Sequence, residues 1–262
     1  MGCGGRPIPV SIITLTTDFG TQDWFVGSMK GVILGVNPAV TVVDITHEVP
    51  AGDVRVGAFA LLASYRCFPP NTVHVAVIDP GVGSNRAAIA VRTADYVFVG
   101  PDNGVLSFAL VREKIVEIRR LDHDAYFRQP VSNTFHGRDV FAPVAAKLTQ
   151  DILFASLGEK LTGYARLDWP QPRTDGGKIR GEIVHLDHFG NAITNIELSG
   201  AAVSQVCVPD KLQCEVRQSY QALPPGQALA LVGSSGFLEI AVNAENAARK
   251  LGLVVGDVVE VG

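Results

Sequence analysis

The chain has no apolar run approaching the ~18–20 residues that a membrane-spanning helix needs. Its first residues, Met1-Gly2-Cys3-Gly4-Gly5-Arg6-Pro7, lead into no signal-peptide hydrophobic region. Arg6 stands where a myristoylation signal wants Ser or Thr. Residues 1–8 therefore read as a loose tail on a cytoplasmic protein with no membrane partner. Cysteine is scarce as well: Cys3, Cys67, Cys207 and Cys214 include no Cys-x-x-Cys pair, which argues against a zinc site. Cys67, in an apolar context, reads as a small core residue. Cys207 and Cys214 could face each other across a hairpin, and in the cytosol they read as a reduced pair. Charge is sparse too, 18% of residues with a net of −4, so there is no basic footprint for nucleic acid. Repeats and low-complexity stretches are absent.

What is present is a large hydrophobic fraction, 47% of 262 residues, enough for one large domain or two ordinary ones. Glycine is abundant and the apolar segments are short, as in chains of many strands and loops. The pivotal stretch is Asp79-Pro80-Gly81-Val82-Gly83-Ser84-Asn85-Arg86. Val73–Ile78 before it is β-branched and apolar without alternation, the pattern of a buried strand. Asp79 thus falls at a strand's carboxyl end, the edge where open α/β sheets bind ligands. Pro80, Gly81 and Gly83 forbid a helix and let the backbone pass close to another group. The stretch is no dinucleotide fingerprint, because Arg86 stands where a third glycine would fall, and no P-loop, because Gly-Lys-Ser/Thr is missing. On spacing alone it is either a capped turn with a solvated arginine or a carboxylate and guanidinium brought to one point.

Along the chain, Ile12–Thr16 reads as a strand ending in Thr17-Asp18-Phe19-Gly20. Trp24–Val36 has helical spacing at Phe25, Met29, Val32, Ile33 and Val36, stopped by Asn37-Pro38. Val40–Ile45 is a strand running into Thr46-His47, and Asp53 caps a helix to about Tyr65. After the central strand come a strand pair, 87–92 and 96–99, a short helix over 105–110 and a strand over 115–119. A last helix starts from Val140, with Phe141, Val144, Ala145 and Leu148 on one face. Alternating strands and helices predict an α/β fold: an N-terminal α/β/α domain over 9–167 around a mostly parallel central sheet. Residues 168–177, rich in Pro and Gly, read as a linker. Residues 178–262 change to short strands: 179–186, 192–196, 206–208, 212–216, 228–232, 238–241 and 254–261, with one helix over 246–251. They predict a smaller antiparallel, barrel-like β domain. Asp187-His188-Phe189-Gly190-Asn191 and Gly233-Ser234-Ser235-Gly236-Phe237 interrupt these strands as either turns or ligand contacts. His136 before Gly137 could equally be a helix-entry residue, and His47, His74, His123, His185 and His188 read as structural.

Taken in order, seven motifs carry a family resemblance: Thr16-Thr17-Asp18-Phe19-Gly20, Val43-Asp44-Ile45-Thr46-His47, Ile78-Asp79-Pro80-Gly81-Val82-Gly83, Gly100-Pro101-Asp102-Asn103-Gly104, Thr134-Phe135-His136-Gly137-Arg138-Asp139, Asp187-His188-Phe189-Gly190-Asn191 and Leu238-Glu239-Ile240-Ala241-Val242-Asn243. From about residue 12 onward the chain resembles the S-adenosyl-L-methionine (SAM) hydroxide adenosyltransferases, adenosine-forming SAM hydrolases related to SAM-dependent fluorinases and chlorinases. The resemblance implies attack of water or hydroxide on ribose C5′ of SAM, giving adenosine and methionine. It implies a homotrimer with active sites at subunit interfaces, with SAM as substrate and no further cofactor. It carries the catalytic set onto Asp79, Arg86 and His136, and the ribose carboxylate onto Asp18. The methionine end falls on Asp23, Asp187 and Ser234, and the adenine side on Phe189, Asn191, Asn243 and Ala244. Ser235 stands where the halogenating relatives have arginine, and Asp79 where they have tyrosine, which speaks against halogenation. The other readings are a SAM-dependent halogenase and a non-catalytic SAM or adenosine sensor.

The chemistry suits those residues. Attack at C5′ expels a neutral thioether from a sulfonium, so the leaving group needs no acid and the scarce component is the nucleophile. Holding and deprotonating a water contributes about 10²–10⁴ in rate. None of this calls for a metal or a redox group.

Overall fold

The computed structural model describes residues 11–150, 152–198 and 203–262. The expected tail and Cys3 lie outside the described residues. The chain divides into two compact units, one up to Leu167 and one from Asp168.

In the first unit the strands are β1 (Ile12–Thr17), β2 (Thr41–Thr46), β3 (Val73–Val77), β4 (Ala88–Thr93), β5 (Val97–Pro101), β6 (Ile115–Arg120) and β7 (Lys160–Leu161). They form one sheet in the order β2-β1-β3-β5-β4-β6-β7. The pairs β2–β1, β1–β3 and β3–β5 are parallel, and the remaining three are antiparallel. The helices are α1 (Phe25–Val36), α2 (Val54–Ser64), α3 (Ser107–Leu110) and α4 (Ala142–Leu148). All five residues of β3 are buried, because both sheet faces are covered. Val73, Val75 and Val77 meet Met29, Ile33, Phe141 and Val144 on the α1/α4 side. Ala76 and Ile78 meet Leu61, Leu106 and Ala109 on the α2/α3 side. The strand's period of two thus feeds two cores and makes the α/β/α sandwich. Asp53 caps α2 as its position suggests, accepting from the Val56 amide at 2.9 Å.

His74 belongs to the second of these cores. It is fully buried, stacked on Phe98 and flanked edgewise by Tyr65, and burial pushes its imidazole down to about 3. Cys67 does not join that core: it ends a single 3₁₀ turn after α2, Tyr65–Cys67, and is exposed. Two positions apart on a helical turn, Tyr65 and Cys67 point to opposite sides, Tyr65 inward and Cys67 outward.

The helix expected from Val140 begins a turn earlier. Gly137–Phe141 is a π turn, with the Ala142 amide bonded back to the Gly137 carbonyl. Pro143 supplies the reason. It has no N–H for the Asp139 carbonyl four residues back, and the Arg128 amide takes that acceptor instead at 2.8 Å. The Asp139 carboxylate, fully buried, is bound by Arg138, Arg128 and the Ser132 amide. Burial alone would raise its pKa, but these partners outweigh burial and hold it below the usual range.

The second unit holds β8 (Arg173–Asp175), β9 (Lys178–Leu186), β10 (Ala192–Glu197), β11 (Gln205–Val208), β12 (Leu212–Glu215), β13 (Ala228–Val232), β14 (Phe237–Val242), β15 (Val258–Val261) and α5 (Ala247–Leu251). The antiparallel order is β12-β11-β15-β9-β10-β14-β13, with β8 added to β9. A bridge between Val216, just past β12, and Ala230 of β13 joins the two ends, so the sheet is nearly a closed barrel. Part of the stretch read as a linker is thus a strand: Gly176 and Gly177, both at positive φ, turn β8 back on β9. The strand expected over 254–261 is shorter, because the Asp257 carboxylate accepts from the Val254 amide at 2.8 Å and Gly256 is left-handed, making 254–257 a turn. Cys207 and Cys214 sit on adjacent strands but not opposite each other, and both thiols are free.

Candidate active site

The first unit places three of the expected residues in direct contact. Asp79 follows β3, and the Ile78 carbonyl before it accepts from the Asn103 side chain at 2.8 Å, which fixes the strand's end. The loop then folds back through Val82 N to Asp79 O and Ser84 N to Gly81 O bonds. Gly83 is left-handed at φ +76°, and a Cβ there would stand 2.3 Å from the Asn133 carbonyl oxygen. This contact packs the Asp79 loop onto the segment that leads to His136.

Arg86 returns at the loop's end. Its Nε lies 2.9 Å from both Asp79 oxygens, and its Nη2 donates to Oδ2 as well. The Asp79 side chain is 4% exposed and that of Arg86 11%, so the pair is shielded from solvent. The guanidinium also sits 5.3 Å from the centre of the Phe141 ring. Nη2 lies 2.8 Å from His136 Nδ1. An arginine can only donate, so Nδ1 accepts and a neutral ring carries its proton on Nε2. Burial, then the adjacent Arg86 charge, lowers the His136 pKa. The imidazole stays neutral where a free histidine would begin to protonate. Within the trio Asp79 is the group that can take a proton, and His136 is a donor.

Asp79 and His136 open onto a cavity of about 330 Å³ shared with Asp18, Phe19, Phe25, Val77, Val82, Thr134, Phe135 and Gly137. Asp18 stands one residue past β1, the parallel neighbour of β3, so both carboxylates leave the same sheet edge. Asp23, expected at the methionine end, is exposed and does not line this cavity. The aromatic wall of Phe19, Phe25 and Phe135, in mutual edge and tilted contacts, was not singled out by sequence reasoning, though two of the three lie inside quoted motifs.

In the second unit, Asp187 accepts from both the amide and the side-chain nitrogen of Asn191, at 2.8 and 3.0 Å. Phe189, 73% exposed, and Asn191 line a cavity of about 540 Å³ with Tyr220, Val242, Ala244, Glu245 and Asn246. Ala244 is left-handed at φ +60°. Asn243 is tied to the Leu223 carbonyl at 2.7 Å and lies beside that cavity rather than in its lining. Ser234 is an exposed residue of the β13–β14 turn. Sequence reasoning missed Glu239 as a site feature. It is 5% exposed, receives the Tyr220 hydroxyl, and has its pKa raised by burial, with nearby Asp187 acting in the same direction. It is the charged residue of β14 and lies on the strand face opposite Leu238 and Ile240, while its partner 19 residues earlier left no local signal.

The sandwich, the sheet-edge carboxylates and the half-buried arginine between a carboxylate and an imidazole fit the class of α/β enzymes with a site at the carboxyl edge of the sheet. Sequence comparison narrows this. Residues 13–158 match the SAM hydroxide adenosyltransferase N-terminal domain and residues 181–260 its C-terminal domain, and the chain belongs to that family. It is 38% identical to a (R)-S-adenosyl-L-methionine hydrolase of Salinispora tropica, covering 95% of this chain and 97% of that one. A protein of the same name from Methanocaldococcus jannaschii is 36% identical, covering 100% and 99%. A Nocardia brasiliensis fluorinase is more distant, 27% identical over 98% and 97%. The crystal structure of an uncharacterized conserved protein from Thermotoga maritima superposes with a TM-score of 0.89 at 38% identity, covering 95% of this chain and 99% of that one.

Among the described residues no helix is long and apolar enough to cross a membrane.

Proposed function

We propose that the protein hydrolyses SAM to adenosine and L-methionine by attack of water on ribose C5′. The observation that carries this reading is the half-buried Asp79–Arg86–His136 contact opening onto the cavity of Asp18. A water between Asp79 and His136 donates one proton toward the carboxylate as its oxygen bonds to C5′. The C5′–S bond breaks, its electron pair returns to sulfur, and methionine leaves as a neutral thioether. Arg86 stays charged throughout and holds the carboxylate and the imidazole in one geometry. Asp18 takes the ribose hydroxyls. Phe189, Asn191 and the backbone at Asn243–Ala244 take adenine, while Asp187 and Ser234 take the methionine end. Of the three residues assigned to that end, Asp23 and Ser234 are exposed, and the hydrogen bonds from Asn191 hold Asp187 in place. The fluorinases are more distant relatives, and Asp79 occupies the position at which halogenation calls for tyrosine.

In ¹⁸O-water, with chloride, bromide and fluoride absent, we expect label at the 5′ oxygen of adenosine and none in methionine, read by mass spectrometry. A strict halide requirement with a 5′-halo product would move the protein to the halogenating relatives. Tight SAM binding without turnover would make it a sensor.

We further propose a homotrimer whose sites join the first unit of one chain to the second unit of a neighbour. The support is that assigned residues fall in both units, together with the family resemblance; head-to-tail contacts of this kind close into rings. Asp79→Ala and Asn191→Ala chains should each be nearly inactive, and mixed trimers should regain activity. Mixtures with proven subunit exchange that give only the summed residual activities would overturn the shared site.

A further inference from the structure

One of the seven motifs, Val43–His47, has no part in the chemistry above, and its histidine reads as structural. In the fold His47 is 4% exposed and grips the turn that carries Asp18 from both sides. Its Nδ1 lies 2.8 Å from the hydroxyl of Thr17, the residue before Asp18. Its backbone carbonyl accepts from the Gly20 amide at 2.8 Å, two residues after Asp18. The same Thr17 hydroxyl oxygen accepts from the Phe19 amide at 3.3 Å. Nε2 of the ring lies 3.0 Å from Asp44 Oδ1, off the axis of the ring N–H. Asp44 in turn holds Lys30 at 2.6 Å. That carboxylate favours the Nε2-protonated ring, in which the Thr17 hydroxyl donates to Nδ1 and keeps its lone pairs for the Phe19 amide.

Asp18 is held from the same connection between β2 and α2. Its Oδ2 accepts from the Gly52 amide at 2.8 Å, leaving Oδ1 for a ligand in the cavity. Three bonds from residues 47 and 52 therefore set the backbone on either side of Asp18 and the rotation of its carboxylate. Thr17 is fully buried, so its hydroxyl cannot replace a lost partner with bulk water.

We propose that His47 and Thr17 are positioning residues for ligand recognition: the buried Thr17–His47 bond orients Asp18 toward the vicinal hydroxyls of a ribose. The proposal rests on the assignment of the ribose to Asp18.

The test is a double-mutant cycle read by calorimetric binding of adenosine, which does not depend on turnover. Thr17→Val keeps the shape and removes the hydroxyl. It should weaken adenosine about tenfold, the size of one well-placed hydrogen bond. Asp18→Ala should weaken it at least as much. The double variant should bind no worse than Asp18→Ala alone, because Thr17 acts only through Asp18. Thr17→Ser should restore near wild-type affinity, and His47→Asn, whose amide can take the place of Nδ1, should retain most of it. If Thr17→Val does not fold, His47→Ala takes its place in the cycle. Penalties that multiply in the double variant, or wild-type affinity in Thr17→Val, overturn the positioning role. Unchanged affinity in Asp18→Ala instead overturns the ribose assignment, and this inference with it.

Discussion

Replacing Asp79 with asparagine should lower kcat by about 10²–10⁴ while changing SAM affinity much less. Asparagine keeps the size of the side chain and can still accept one bond from Arg86, so the loop should persist. What it loses is the proton acceptor. Within the trio no other group can substitute: Arg86 only donates, and His136 Nδ1 is already occupied by Arg86. The loss should therefore appear in kcat, because the interaction is made as the water is deprotonated. Single-turnover assays at saturating SAM, with binding measured separately, provide the check. Near-normal turnover in Asp79→Asn would make the Asp79–Arg86 pair structural and remove the mechanism.

A second large effect is expected far from any functional group. Gly83→Ala adds a single methyl, yet that carbon would lie 2.3 Å from the Asn133 carbonyl oxygen, well inside contact distance. The obstacle is backbone, so no side-chain rotation relieves it, and the positive φ adds strain of its own. Either the Asp79 loop or the segment entering His136 must shift. Displacing a catalytic group by about 1 Å costs on the order of 10² in rate. We therefore expect kcat to fall about 100-fold, with thermal stability lowered as well. Wild-type kcat in Gly83→Ala would mean that the two loops need not stay in register. Gly81 offers a contrast within the same loop: its nearest neighbours to an added Cβ are side-chain atoms at 3.4 Å, from Arg86 and Ser84.

How much of this was legible follows from where each signal resides. The buried strand before Asp79 and the Asp53 cap are local, since a run of β-branched residues or a side chain three positions from an amide leaves its mark in sequence. The all-β character of 178–262 was also local, in its run of short strands. The π turn before α4 was not, because Pro143 only matters once Arg128, 15 residues earlier, takes the orphaned carbonyl. Gly176-Gly177 reads as linker composition or as a hairpin turn with equal ease; pairing with β9 decides it. His47 looked idle because its partner Thr17 is 30 residues away on the neighbouring strand. The order of motifs pointed to the family. The bonds that aim Asp18 and seal Arg86 against Phe141 are tertiary, and only the fold displays them.

The placement of Asp18 and Asp79 on neighbouring parallel strands also bears on how such a site can change over evolutionary time. Thr17 is in register with Val77, so each carboxylate stands just beyond the last ladder bonds of its own strand. The separation of their backbones is set by the hydrogen-bonded spacing of two buried strands, about 4.8 Å, and by one residue of offset. The loops at 48–52 and 79–86 hang from that frame and set the aim of the two side chains at its edge. Changes there can re-aim a carboxylate, as the Gly52 amide and the Gly83 contact imply, while the spacing of the two strand ends is preserved. Descendants of this chain are therefore free to vary their chemistry by loop replacement, whereas a one-residue slip between β1 and β3 would turn every buried side chain of a strand to the wrong face and abolish the fold before it altered the ligand.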